Sequence, residues 1–249
     1  MRALTDQPDP GAHHEGRADL IAWNEAMVER YDIERYYEQS HGIVRWLERR
    51  RLDTLHTLAA PKSGDLVLEV GCGAGHVLER FENVRRIGVD MSEGMLARSR
   101  RRLGNAVDLA RGSAGSLPFA SATFDIVLCT EVLEHVADPA AVIAELVRVV
   151  RPGGRVIVSI PNEANIDRAK RVLRRTPLLR TWLRTLAAEG NEWHLHDFDL
   201  PMLRRFAAGS AEIRRLKGIP GRFMPLRWVA ELGPVAAPAS LRPPIGRSA

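Results

Sequence analysis

The sequence predicts an α/β fold with a doubly wound, mostly parallel sheet. Five short apolar segments alternate with helical segments between residues 66 and 160, which is typical of consecutive βαβ units. The first apolar segment runs directly into a glycine-rich turn at residues 71–75. Two more apolar segments, at residues 211–217 and 223–229, follow a break in this rhythm and predict antiparallel strands. A chain of 249 residues is long enough to bury such a seven-stranded core.

The individual elements follow from apolar runs and helix signals. A helix is expected to begin directly after Gly75. Ser92 is a good N-cap for the next helix, and Pro139 suits the first turn of the helix before the fifth strand. The run Pro152-Gly153-Gly154 is expected to end that helix. The five parallel strands are predicted at residues 66–70, 86–90, 107–111, 124–129 and 155–160.

The segments around the sheet differ from it in composition. The segment after the fifth strand predicts two short basic amphipathic helices divided by Pro177, and residues 200–208 predict another helix. The sequence therefore predicts an amino-terminal helical segment and a helical insertion after strand five. The predicted parts are a disordered leader at 1–16, cap helices at 17–62, the main domain at 63–232 with a lid insertion at 163–198, and a loose tail at 233–249.

Composition excludes several classes of protein. Two cysteines, Cys72 and Cys129, cannot build the disulfide framework of a small secreted domain. The apolar runs are far too short for a membrane span, and residues 1–16 lack the pattern of a signal peptide, so a cytoplasmic location is expected. The net charge of +5 fits nucleic acid, an anionic membrane or an acidic small molecule, and equally a genomic bias toward arginine.

The glycine-rich turn Gly71-Cys72-Gly73-Ala74-Gly75 indicates a ligand-binding loop. Glycines allow positive φ and let the backbone approach a ligand closely. Asp90 ends the second strand nineteen positions after Gly71, where a carboxylate can accept both ribose hydroxyls. A turn of this kind is shared by several classes of nucleotide-binding protein, including NAD-dependent oxidoreductases.

Glu69 narrows the choice of ligand. It lies two residues before Gly71, and a carboxylate so close to the loop would repel a pyrophosphate. A ligand with a positive amino-acid end and a sulfonium suits it better than NAD. The alternative is that Glu69 only binds loop amides.

Several motifs together carry a resemblance to a known family. The segment Leu68–Gly75 resembles motif I of class I S-adenosylmethionine-dependent methyltransferases, and Gly88–Ser92 resembles their second cofactor segment. The remaining motifs match in order and spacing over residues 65–161, at Leu117–Phe119, Phe124–Val127, Glu131–Val136 and Leu146–Gly154. The quinone-biosynthesis type of O-methyltransferase is the most similar group. The resemblance implies a Rossmann-like fold with S-adenosyl-L-methionine as cofactor.

The resemblance also implies cofactor-binding residues. In similar enzymes an amino-terminal arginine meets the cofactor carboxylate, for which Arg45 is the candidate and Arg35 and Arg49 compete. Ser113 stands where the family usually has an acidic residue that holds the adenine amino group, so this contact departs from the pattern. The expected cofactor residues are Arg45, Glu69, Gly71, Cys72, Gly73, Gly75, Asp90, Met91, Ser113, Ala114 and Thr130.

Two histidine segments are candidates for the chemistry of transfer. A general base is needed only if the acceptor arrives protonated, and His135 suits that role at neutral pH. Quinone-type relatives also imply a magnesium ion held by Glu131, Glu134 and His135. His194 and His196 are expected to help close the active site. The alternatives are structural: His135 binds a loop carbonyl, and residues 192–198 form a surface loop with a Trp anchor.

The insertion leaves two interpretations open. Residues 167–186 are basic with one apolar face, which predicts a wall of the substrate cleft or loose attachment to an anionic membrane. The acceptor is expected to be a small, hydrophobic molecule, with O-methylation favoured over N- or C-methylation. The alternatives are an NAD-dependent oxidoreductase and a cofactor-binding module without turnover. Nucleic acid is disfavoured because the Asn-Pro-Pro-Tyr-like signature of amino-methylating enzymes is missing after strand four, where Cys129-Thr130-Glu131-Val132 stands.

Overall fold

A computed structural model describes residue 25 and residues 42–174 and 195–235. Its helices and strands alternate as the apolar pattern predicts. Their bounds are α1 Gly42–Ala59, β1 Leu66–Val70, β2 Arg85–Asp90, α2 Glu93–Leu103, β3 Asp108–Arg111, β4 Phe124–Thr130, α3 Pro139–Val149, β5 Val150–Pro161, α4 Glu163–Arg174, α5 Leu200–Ala207, β6 Ala211–Ile219 and β7 Arg227–Pro234. Short 3₁₀ turns lie at Leu78–Arg80, Gly104–Ala106 and Leu133–His135.

The seven strands form one sheet in the order β3-β2-β1-β4-β5-β7-β6. The first five strands are parallel, and β7 pairs antiparallel with both β5 and β6. The strand order reverses between β1 and β4, where a doubly wound sheet opens a crevice at its carboxyl edge. The fold class predicted from the sequence is confirmed.

Both faces of the sheet are covered. On one face, Ile143 and Leu146 of α3 and Leu203 of α5 are buried against the strands. On the other face, Leu55 and Leu58 of α1 pack with residues of β1, β4, β5 and β7. Burying large side chains on both faces is the main stabilising term of such a fold.

Helix α1 buries charged residues. Its buried positions are Val44, Glu48, Arg51, Leu55 and Leu58, which follow helical spacing. Glu48 and Arg51 therefore face β5 and β7 together with the leucines. By contrast, Ile43 and Trp46 are each 46% exposed.

The structure overturns the helix expected after Gly75. Only the turn Leu78–Arg80 forms, because residues 76–84 are all that separate Gly75 from β2. Val77, Leu78 and Phe81 are buried, so this short connection still fills the space beside the sheet.

Two strands, β5 and β7, begin four or more residues away from the predicted position, whereas the bounds of the other strands agree to within two residues. Strand β5 begins at Val150 and includes Pro152-Gly153-Gly154, with a register shift opposite Phe124 and Ile126. Gly153 has φ +80°, which a glycine adopts without strain at this irregularity. The last strand begins at Arg227 rather than Phe223, because Leu226 N–H bonds to Ile219 O and closes the hairpin loop.

The predicted leader, insertion and tail lie only partly within the residues that the structure describes. Gly233 and Pro234 belong to β7, so the predicted loose tail begins too early, and residues 236–249 lie outside the description. The predicted leader, the second helix of the insertion and His194 also lie outside it. None of the helices that are described has the length and apolar composition needed to cross a bilayer.

Candidate active site

The glycine loop after β1 is fixed to the neighbouring strand. Gly71 N–H and Cys72 N–H both donate to Val89 O, at 2.7 and 3.0 Å. The φ angles of Gly71, Gly73 and Gly75 are +72°, +49° and +84°. A Cβ on Gly71 would lie 2.3 Å from Val132 Cγ2, so this position requires glycine, whereas the space at Gly73 is open. The loop therefore presents its backbone at the carboxyl edge of the sheet.

Asp90 holds this loop in place. Gly73 N–H donates to its Oδ2 at 2.8 Å, and Ser92 N–H donates to its Oδ1 at 2.9 Å. Burial raises the pKa of Asp90 above its ordinary value, although these two hydrogen bonds oppose the shift. Each carboxylate oxygen has a second lone pair, which remains able to accept a hydroxyl.

Glu69 is 1% exposed at the end of β1. Thr130 Oγ1 donates to its Oε1 at 3.3 Å, while its Oε2 has no hydrogen-bond partner within the described part of the chain. Burial raises the pKa of Glu69 to about 8, and the nearby Arg51 charge offsets only part of that rise. A buried carboxyl oxygen left without a donor is costly, and a cationic ligand at this place would supply one.

The adenine side of the predicted site continues from β2 to β3. Gly112 N–H donates to Asp90 O at 3.0 Å, and Arg111 Nε donates to Met91 O at 3.1 Å. Ser113 forms a tight turn with Ser116 N–H bonded to its carbonyl at 3.1 Å, and Ser113 and Ala114 are half-buried. The structure thus places the predicted cofactor residues of the first three strands along one edge.

Glu25 joins this edge from the amino-terminal segment. Ser92 Oγ donates to its Oε2 and Glu93 N–H donates to its Oε1, both at 2.8 Å. A carboxylate at the start of α2 is favourable because it accepts free backbone N–H groups there. Sequence reasoning missed Glu25, since nothing in its local pattern marks it.

Five side chains form a closed polar network beside the loop after β4. We call it the arginine–glutamate ring; its members are Glu48, Arg51, Glu131, Ser159 and Arg227. Glu131 accepts from Ser159 Oγ at 2.8 Å and from Arg227 Nε at 2.9 Å. Glu48 lies 3.0 Å from Arg227 Nη1 and accepts from Arg51 Nε at 2.9 Å. Arg51 Nη1 closes the ring by donating to Ser159 Oγ at 3.3 Å.

The charges of the ring shift the pKa values of Glu131 and Glu134. Burial alone would raise the pKa of Glu131, but Arg227 and Arg51 outweigh it and hold that pKa at about 2. Glu134 is 1% exposed, and burial together with the Glu131 charge raises its pKa well above the ordinary value. Glu131 is therefore ionised at neutral pH, whereas burial and the neighbouring Glu131 charge favour the protonated form of Glu134.

The predicted magnesium site does not fit this arrangement. In the described ranges, no group of three His, Cys, Asp or Glu side chains is placed to hold a metal ion. Both oxygens of Glu131 already accept hydrogen bonds, one of them from a guanidinium that would repel a divalent cation. Glu131, Glu134 and His135 belong to one sequence motif, but their side chains are not arranged around one point.

The histidines occupy different surroundings. His135 ends the 3₁₀ turn after β4 and is half-buried. His196 Nε2 donates to Val136 O at 3.0 Å, and its ring meets Phe198 edge-on. This contact fits the structural alternative for His196, since the hydrogen bond fixes the ring against the loop after β4.

Arg45 is exposed on α1 and lies outside the ring. Arg51 is the arginine of that helix that the structure buries near Glu69. Sequence reasoning also missed Arg227 and the buried charges of α1. For α1 a signal was available, because the spacing of Val44, Leu55 and Leu58 indicates that positions 48 and 51 are buried.

Comparison with known proteins finds a match for the central part of the chain. Residues 68–158 match the family model described as a methyltransferase domain. The match covers the glycine loop, Asp90, the loop after β4 and most of β5, which are the elements that form the edge described above.

Curated relatives agree with this match. The chain is 36% identical over 155 residues to a ubiquinone biosynthesis O-methyltransferase of Thiobacillus denitrificans, covering 58% of this chain and 63% of the relative. It is 38% identical over 158 residues to the enzyme of the same name from Pseudomonas aeruginosa, covering 57% and 62%. The chain thus spans a little under two thirds of the length of these relatives.

Solved structures show the same fold. A magnesium protoporphyrin IX methyltransferase of Synechocystis, solved with bound SAH, gives a TM-score of 0.62 at 16% identity and covers 88% of this chain and 100% of its own. The N-methyltransferase NodS of Bradyrhizobium japonicum, in complex with S-adenosyl-L-homocysteine, gives 0.56 at 18% identity and covers 76% and 87%.

Proposed function

We propose that this protein is an S-adenosylmethionine-dependent methyltransferase that acts on a small, hydrophobic acceptor. The observation that carries the proposal is the pairing of the open glycine loop with the buried, unpartnered Oε2 of Glu69. A backbone cradle beside a buried carboxyl group suits a ligand with a cationic amino-acid end. The match of residues 68–158 to the methyltransferase domain model supports the same assignment.

The residues at the edge have distinct roles in this proposal. The bound cofactor would supply a methyl group that its positive sulfur activates for transfer. Asp90 would accept the ribose hydroxyls, Glu69 would receive the ammonium group, and Ser113 and Ala114 would line the adenine. Since transfer is an in-line displacement, positioning and exclusion of water provide much of the rate.

O-methylation is the favoured reaction. Its support is the similarity to relatives named as O-methyltransferases, whereas one structural neighbour is an N-methyltransferase. A hydroxyl acceptor must lose a proton, for which His135 and His194 are the candidates. His196 is the weaker candidate because its Nε2 proton is bound to Val136 O.

The alternative of an NAD-dependent oxidoreductase has less support. Glu69 has a pKa raised to about 8, and NAD would not bring to it the cationic partner that favours its ionised form, whereas an ammonium group would. A protein that binds the cofactor without turnover would keep the binding residues at the carboxyl edge of the sheet. It would not need the buried glutamates around the loop after β4.

Peripheral membrane contact is a further proposal for the insertion. Its described part, α4, exposes Arg168, Arg171 and Val172, the last at 67%. A basic helix with an exposed apolar side chain suits an anionic lipid surface. Sedimentation with phosphatidylglycerol vesicles, against neutral vesicles as control, tests this proposal.

The cofactor assignment is tested by calorimetry with S-adenosylhomocysteine and NAD. We expect micromolar affinity for S-adenosylhomocysteine, about −8 kcal/mol, and no measurable heat with NAD. Asp90→Ala should weaken binding by about tenfold or more, because two hydroxyls lose a charged acceptor. Asp108→Ala is the matched control, since Asp108 is exposed at the opposite end of the adjacent strand and should change nothing. Equal affinity for NAD would contradict the assignment.

A further inference from the structure

Hydrogen-bond donors of the protein already contact both oxygens of Glu131, where the sequence predicts a divalent ion. Ser159 Oγ and Arg227 Nε each donate to a different oxygen of Glu131, at 2.8 and 2.9 Å. A metal ion that bound Glu131 would have to displace one of these donors. The donor on the Oε2 side is a guanidinium, which carries the kind of charge that the ion would bring.

Arg227 is held in this place from more than one side. Its backbone lies in β7 opposite Pro161, and its Nη1 lies 3.0 Å from Glu48 Oε1. Glu48 is itself paired with the buried Arg51 at 2.9 Å. If Arg227 moved away, both Glu131 and Glu48 would lose a partner, so the displacement would leave two acidic groups with less compensation.

The ring has a buried half and a half that reaches the surface. The side chains of Arg51 and Glu48 are 3% and 6% exposed, whereas those of Arg227 and Glu131 are 23% and 24% exposed. The pair lies at the carboxyl edge of the sheet, because Glu131 follows the last residue of β4 and Arg227 begins β7 opposite Pro161, the last residue of β5. Glu131 also has φ +53°, a conformation that a residue other than glycine keeps only when its surroundings fix it.

We propose that Arg227 serves as the built-in counter-cation of Glu131 and closes this position to divalent metal ions. The ring supplies fixed positive charge where metal-dependent relatives would place an ion, and it holds Glu131 in its strained conformation. Arg227 is thus a positioning residue of the proposed active site. The inference rests on the proposed function only for its catalytic consequence, because metal binding can be measured without an acceptor.

The test is manganese binding by electron paramagnetic resonance, with Mn²⁺ as the probe and the full-length chain. We expect no binding at this position by the wild type. Arg227→Met should gain Mn²⁺ affinity by about tenfold or more, because it removes a repelling guanidinium that lies between the carboxyl groups of Glu131 and Glu48. The double variant Arg227→Met with Glu131→Gln should lose that gain. Arg215→Met is the matched control, since Arg215 pairs with Glu231 on the same pair of strands but outside the ring.

Two results would overturn the proposal. One is Mn²⁺ binding by the wild type that Glu131→Gln abolishes, and this comparison remains decisive even if Arg227→Met does not fold. The other is a folded Arg227→Met protein without increased affinity. Methyl transfer that a chelator leaves unchanged in the wild type would support the inference, whereas failure to find any transfer would count against the proposed function alone.

Discussion

Glu69 is a carboxyl group with almost no solvent contact at the end of a buried strand. Thr130 Oγ1 is 3.3 Å from one oxygen, while burial raises the pKa of the group to about 8. An isolated buried carboxylate is unfavourable, so the free protein keeps Glu69 protonated near neutral pH. An ammonium group of a ligand would favour the ionised form, and ligand binding would then release a proton.

Cofactor affinity should therefore depend on pH through Glu69. Because the bound form requires a carboxylate, affinity for S-adenosylhomocysteine should rise by roughly tenfold per pH unit below pH 8 and then level off. Glu69→Gln cannot ionise, so its affinity should be weaker and nearly independent of pH. Calorimetry between pH 6 and pH 8 measures both. An identical pH dependence in the wild type and the variant would contradict this role for Glu69.

The residues of the candidate site differ in whether their positions could be predicted from the sequence. Gly71, Glu69 and Asp90 stand next to strand ends within a local motif, so their positions at the carboxyl edge were predictable. Arg51 and Arg227 were not, because each gains its role from a partner that is distant in sequence: Arg51 Nη1 bonds to Ser159 and Arg227 Nε to Glu131. The spacing of Val44, Leu55 and Leu58 indicates that position 51 of α1 is buried and position 45 is not, but it does not reveal the distant partner of Arg51.

At the scale of the elements, the two ends of the insertion after β5 lie close together. Glu163 N–H donates to Phe198 O at 3.3 Å, and Leu195 N–H donates to Glu134 O at 2.8 Å. Phe198 is fully buried, so the returning chain is anchored in the core beside the loop after β4. The segment can therefore be shortened without separating the elements that it connects.

Replacing residues 165–188 with a short Gly-Ser linker should spare cofactor binding and abolish turnover. The cofactor edge is formed by β1, β2 and β3, whereas the predicted lid would supply the apolar wall for the acceptor. Burying such a wall contributes about 25 cal/mol per Å². Affinity for S-adenosylhomocysteine is the internal control for folding, and single-turnover transfer is the readout. Full activity of the shortened chain would show that the insertion is not needed for catalysis.

Element types were more predictable than element lengths. The apolar pattern predicted β1 with its observed bounds, because five residues, four of them buried, lie between Asp65 and the first glycine of the loop. It failed after Gly75, where glycine loops of this type usually lead into a helix but Val77, Leu78 and Phe81 are instead buried around a short turn. It also placed the last strand too early, since the closing bond of the β6–β7 hairpin, from Leu226 N–H to Ile219 O, is a tertiary feature.

At the scale of the whole molecule, stability should fall as pH rises from neutral to mildly alkaline. Glu69 has a folded-state pKa of about 8, above its unfolded value, and the pKa of Glu134 is also raised. Between the ordinary glutamate value and about 8, the folded state holds a proton on Glu69 that the unfolded state has lost, so this group lowers the free energy of unfolding by about 1.4 kcal/mol per pH unit.

Other titrating groups set the window for this measurement. Burial lowers the pKa of His76 to about 4, so His76 reduces stability only below its unfolded value of 6.5. Glu131, with a pKa of about 2, loses its stabilising charge only in acid. Burial raises the pKa of Cys72 and of Cys129, whose effect begins near the unfolded thiol value of 9.0. The interval from pH 7 to pH 8 therefore covers the titration of Glu69, and a Gln variant separates its contribution from those of Glu134 and Asp90, the other carboxyl groups with a raised pKa.

Denaturant unfolding of the ligand-free protein should then show a lower free energy of unfolding at pH 8 than at pH 7. Glu69→Gln should reduce this fall, because the uncharged amide keeps nearly the same shape and has no proton to lose. Saturating S-adenosylhomocysteine should also reduce the fall in the wild type, since Glu69 is already ionised in the complex. A wild-type stability that does not change over this interval would mean that Glu69 is not buried in its neutral form, and the pH-dependent affinity predicted above would fail with it.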